Sequence, residues 1–159
     1  MRNAVACSLV LGVAVLLGSS VQAQLLQKKA LSLEAARKMA AAAEDEAERN
    51  HRRGVVAVVD DGGWIILLER MDHAALTAGV ELAPGKARAA ALYKKPSQEL
   101  EDAISHGRYP AITARGFIEM QGGLPVIVDG EVIGAIGASF ATPEEDEQVA
   151  KVGLAGLRE

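Results

Sequence analysis

Three histidines are the residues here best suited to hold a metal or move a proton. They are His51, His73 and His106, spaced 22 and 33 residues apart. That spacing matches no zinc pattern, and the chain's single cysteine, Cys7, offers no second sulfur ligand. His51 lies in Arg49-Asn50-His51-Arg52-Arg53, at the expected end of a helix, where a cationic side chain complements the helix dipole. His106 precedes Gly107 and reads as a solvated loop residue. His73 follows Met71-Asp72 where a sheet edge runs toward the next helix, and it is the most suggestive of the three. His73 and His51 are therefore the candidate metal ligands, with Met71 beside His73 as a candidate ligand contact. A second cluster, Lys86, Arg88 and Tyr93 with Lys94 and Lys95, puts cationic and phenolic groups on one short helix of an acidic protein. Such a cluster can meet the carboxylates of an anionic ligand, or can simply be a solvated helix face.

Other chemistries lack their residues. Ser139 and Thr142 have no evident base, and Gly-x-Ser-x-Gly is absent. Gly134-x-x-Gly137 lacks the strand-turn-helix context of a dinucleotide fingerprint. Asp60 and Asp61 are adjacent, so in an extended turn they point apart, and no catalytic residue is assigned.

The elements that must position these groups are legible in outline. Gly122 to Ser139 reads as two strands joined at Asp129-Gly130, because a type I′ turn needs positive φ at both central positions. Ser32 caps a first helix, alanine-rich and running to about Arg53, with Gly54 as its C′ residue. Val55–Val59 and Trp64–Leu68 are strands flanking Asp60-Asp61-Gly62-Gly63. Pro84 opens a helix to about Tyr93, and Ser97 caps another from Gln98 to Ser105. Phe117–Met120 reads as a short strand, and Pro143 begins a last helix to about Leu157. The fold class is α+β: an antiparallel sheet of about five strands flanked by helices, in the order α-ββ-α-α-β-ββ-α.

The chain of 159 residues allows one domain, and half its residues are hydrophobic with only five aromatic, so the core is aliphatic. Residues 1–23 read as a signal peptide: Arg2, an apolar run Leu9–Leu17, and Val21-Gln22-Ala23 before the cut. Residues 24–159 then form a single domain, periplasmic or secreted. It has lost Arg2 and Cys7, and its 16 basic against 21 acidic residues leave a net charge near −5. That balance argues against nucleic acid, since no basic stripe is available to neutralise phosphates.

Five separated blocks add a resemblance. They are Gly54 to Asp72; Lys86-Ala87-Arg88; Lys95-Pro96-Ser97; Gln121-Gly122-Gly123-Leu124-Pro125 through Asp129-Gly130 to Gly134–Gly137; and Glu145-Asp146-Glu147 with Val149-Ala150. In this order they resemble the GlcG/HbpS family, related to the C-terminal domain of PduO-type proteins, over roughly Leu31 to Leu157. The resemblance implies a profilin-like sheet, homo-oligomers and, for some members, haem binding. One branch is extracellular, is reported as haem-degrading and serves a sensor kinase. Two departures stand out: Phe140 is bulky where relatives are small, and His73 stands where a small residue is common. The leading expectation is an exported haem-binding protein. The alternatives are an enzyme performing iron-dependent haem degradation, and an oligomeric module docking a sensor or other membrane partner.

Overall fold

The computed structural model describes residues 27–158, so the expected signal peptide lies outside the described residues. Four helices and four strands follow in order: α1 (Leu33–Arg49), β1 (Val55–Asp60), β2 (Ile65–Arg70), α2 (Gly79–Tyr93), α3 (Ser97–Ser105), β3 (Gly123–Val128), β4 (Glu131–Ser139) and α4 (Pro143–Ala155). Short 3-10 turns cover Tyr109–Thr113 and Gly156–Arg158. The sheet is antiparallel throughout, in the order β2-β1-β4-β3. Its centre, β1 against β4, pairs Val55 with Ser139 and Asp60 with Gly134.

Alternation along the central strands divides the core into two layers, as the period of two requires. Val56, Val58, Ile136 and Ala138 join Met39, Ala43 and Val149 under α1 and α4. Val55, Ala57, Val59 and Ala135 face α2, meeting Ala83, Ala87, Ala90 and Ala91. Helices thus cover both faces, which is why β1 is buried along nearly its whole length and reads as an unbroken apolar run. The alanines let α2 approach closely, and so does Gly137. A methyl group at Gly137 would stand 2.2 Å from the Ala83 carbonyl oxygen.

Several expectations change. The sheet has four strands, not five. Phe117–Met120 does not pair; Ile118 instead lies on α2, its N–H donating to the Gly85 carbonyl at 3.3 Å. Helix α2 begins five residues before Pro84, which sits inside it. Proline has no N–H, so the Val80 carbonyl lacks its helical donor, a cost that burial of the helix offsets. The C′ residue of α1 is His51, not Gly54. His51 has φ +55°, its N–H donates to Glu48, and the Arg52 N–H donates to Ala47, a complete Schellman arrangement. Gly54 is needed for another reason: a side chain there would collide with the Phe140 ring. Ser97 does not cap α3 through its side chain. Its hydroxyl donates to the Met120 carbonyl at 2.6 Å and accepts from the Gly123 N–H at 2.8 Å, tying the helix to β3. The Asp129-Gly130 turn is as expected, with φ +50° and +80°.

Candidate functional site

The two candidate metal ligands, 22 residues apart, share one cleft. It holds about 560 Å³ and is lined by Asn50, His51, Arg52, Arg53, His73 and Glu145, with Ala75, Phe140 and Ala141. Two local structures bring the histidines together. The Schellman end of α1 turns His51 outward and sends Arg52 and Arg53 back toward the sheet. After β2, the chain reverses at Asp72-His73, with His73 at φ +61°, and the Ala75 N–H donates to the Arg53 carbonyl at 3.0 Å. Left-handed backbone at a non-glycine residue is uncommon, and histidine is among the types that tolerate it. Both imidazoles are exposed.

Ion pairs fix the cationic walls. Arg52 Nε meets Glu145 at 3.1 Å and Arg53 meets Glu48 at 3.1 Å. They engage the arginines and leave the imidazoles outside them. Glu145 is placed by the start of α4, where the Thr142 hydroxyl caps its N–H and its own carboxylate accepts from Ala141 N–H at 3.3 Å. A guanidinium retains donors after one such contact, so Arg52 and Arg53 can still receive a carboxylate.

The other sequence-stated candidates lie elsewhere. Met71 is buried in the main core and does not line the cleft. Lys86 is 1 % exposed; its ammonium donates to the Ala138 carbonyl at 3.3 Å and to Asp146, itself 6 % exposed. It is therefore not part of an exposed cationic face. Burial pushes the Asp146 carboxyl up, while the Lys86 ammonium and the Phe140 N–H pull it down; the net direction is upward. Arg88 lies 5.3 Å from the Trp64 ring centroid and 5.7 Å from that of Phe117, in a separate groove. Tyr93 meets Phe117 edge-on at 5.1 Å and lines a smaller hollow with Leu100, Arg108 and Pro110. His106 is exposed, its Nδ1 2.6 Å from the Asp102 carbonyl oxygen.

Arg52 and Arg53 are the cleft residues that the sequence reading passed over. Their signal was present: a basic run closing a helix whose middle is acidic. Asp146 had no such signal, because only the tertiary fold brings it to Lys86.

The family model described as "Haem degrading protein HbpS-like" matches residues 31–155. The chain belongs to the HbpS-like family. Among relatives, protein GlcG of Escherichia coli K12 is 40 % identical over 75 residues, 47 % of this chain and 55 % of GlcG. The chain thus spans about half the length of that relative. An uncharacterized 15.0 kDa protein from the dhaT-dhaS intergenic region of Citrobacter freundii is 36 % identical over 132 residues, 80 % of this chain and 92 % of its own. Among solved structures, Klebsiella pneumoniae protein ORFY superposes with TM-score 0.80 at 34 % identity, covering 87 % of this chain and 98 % of its own. A double mutant of Streptomyces reticuli HbpS gives 0.78 at 32 % identity, covering 96 % and 97 %. The PduOC:heme complex gives 0.74 at 30 % identity, covering 80 % and 95 %. These HbpS-like structures share the α+β architecture described above.

Proposed function

We propose that this protein binds haem at the His51–His73 cleft. The observation that carries the proposal is the meeting, in one cleft, of two imidazoles with two guanidinium groups. Imidazole nitrogen is a common protein ligand for haem iron. Arginine pairs with carboxylates through parallel N–H donors, which suits the propionates of haem. The cleft volume falls within the range of small-ligand sites. The residues present therefore fit the group: His73 or His51 would hold the iron, and Arg52 and Arg53 the propionates. The HbpS-like family description and the haem complex of PduOC support the same ligand.

Haem titrated into the purified protein should give a Soret band that saturates. His73→Ala or His51→Ala should weaken it, while Tyr93→Phe, outside the cleft, should not. A flat titration at micromolar protein, or variants that bind as wild type does, would overturn the reading. Lys86→Ala is a poor probe of ligand contact, because it leaves Asp146 buried without its partner.

Haem breakdown is the second reading, favoured by the description of the family model. Bound haem, supplied with a reductant and dioxygen, would then lose its Soret band with release of an open-chain tetrapyrrole. Bleaching without that product would count against it. The exported location rests on residues 1–23, and cleavage after Ala23 in the protein recovered from its native compartment tests it. Assembly into homo-oligomers, with docking of a sensor or membrane partner, rests on the family resemblance; light scattering measures the first and partner capture the second.

A further inference from the structure

We propose that the groove between the first hairpin and the amino-terminal half of α2 is a second ligand site, for a planar aromatic monocarboxylate. The groove holds about 660 Å³. Its walls include Trp64, Ile65, Phe117 and Ile118 with Pro84, and both Arg88 and Glu81 reach it. Trp64 is 70 % exposed and Ile65 56 % exposed, although a tryptophan usually buries most of its ring.

Arg88 gives the groove its charge. Its guanidinium lies between the Trp64 and Phe117 rings, and Nη1 donates to the Gly63 carbonyl at 3.2 Å. That contact is built in: Gly63 has φ +75°, and a side chain there would stand 2.8 Å from the Arg88 Cγ. Held this way, the guanidinium keeps N–H donors beyond those on the turn. It forms no salt bridge among the described residues. A cation fixed beside two aromatic faces recognises a flat ring bearing a carboxylate: the ring stacks on Trp64 or Phe117, and the carboxylate meets Arg88. Glu81 disfavours a second negative charge on the ligand, which selects a monoanion.

The other wall is equally constructed. Gly85 admits Ile118 so closely that a methyl group at Gly85 would stand 2.2 Å from the Ile118 Cγ1. That contact fixes residues 116–118 along α2 and makes Phe117 a wall of the groove. The two sites are separate: no lining residue of this groove lines the His51–His73 cleft.

Trp64 is the chain's only tryptophan, so its indole N–H gives one assignable signal in a proton–nitrogen correlation spectrum. Titration of the purified protein with 2-naphthoate should move that signal saturably, with a dissociation constant below about 1 mM. The cationic analogue 2-naphthylmethylammonium should bind at least about tenfold more weakly, a difference of about 1.4 kcal/mol. Arg88→Gln should weaken naphthoate binding by a similar factor while the remaining spectrum keeps its dispersion. If that variant does not fold, Phe117→Ala provides the same comparison and should leave haem titration at the other cleft unchanged. No saturation by 2-naphthoate, equal binding of the cation, or undiminished binding by the folded variant would overturn the proposal. So would a Trp64 signal that moves with protein concentration alone, since a second copy of the chain would then occupy the groove.

Discussion

Lys86 and Asp146 form an ion pair that joins the helices on opposite faces of the sheet. Lys86 starts on α2, and Asp146 belongs to α4 beyond the sheet. The lysine passes the start of β3, where Gly122 and Gly123 leave room. A methyl group at Gly122 would stand 2.6 Å from the Asp146 Cβ and 3.3 Å from the Lys86 ammonium. Asp146 also accepts from the Phe140 N–H, so the pair fixes the end of β4 behind the His51–His73 cleft. Breaking one partner strands the other in the core. Lys86→Met should therefore destabilise by about 3–5 kcal/mol, and Lys86→Met/Asp146→Leu should recover much of that loss. Urea denaturation checks it; a double variant no better than the single one would contradict it.

Gly123 should be intolerant of any side chain. A methyl group there would stand 2.2 Å from the Lys86 carbonyl oxygen, and backbone cannot swing away as a flexible side chain can. Gly123→Ala should lower stability by about 1–3 kcal/mol. Gly130→Ala, also in the second hairpin, meets nothing within 4 Å, so its cost should come from its φ of +80° alone. Thermal melts of the two variants separate collision from backbone strain.

His51 carries strain that a ligand role would explain. It fills a position where glycine is ordinarily found. His51→Gly should change stability by no more than about 1 kcal/mol. The same variant should weaken the Soret response to haem. A stable variant with full haem binding would assign His51 to capping alone.

Glu44 should make stability depend on pH in a predictable direction. Burial raises its carboxyl, and Glu69 on β2 adds like-charge repulsion and a shared hydrogen bond. A carboxyl raised in the folded state binds protons more tightly there than in the unfolded chain. Its contribution favours folding at acid pH and is lost as pH rises through the folded value. Glu44→Gln should raise the melting temperature at pH 7, by a small amount only, because the carboxylate is partly exposed and solvent screens its repulsion from Glu69. At pH 4 the gain should shrink. Melting curves at both values decide it.

Local chemistry determined much of this protein from sequence alone. Asp129-Gly130 specified its turn because few other residues accept two successive positive φ angles. The apolar run Val55–Val59 announced a strand, and Pro143 with the four acids after it announced the start of α4. Those signals lie within a few residues of what they specify. The strand expected at Phe117–Met120 failed because Gly85, more than thirty residues away, offered Ile118 a seat on α2. Lys86 looked like one cation among several on a short helix, and only the folded sheet shows it reaching Asp146 sixty residues later. The cleft has the same origin. His51 and His73 were each visible, but their meeting depends on a helix end and a strand exit packing together. Contacts between segments distant in sequence are made by the shape of the core, and no local pattern of residues records them.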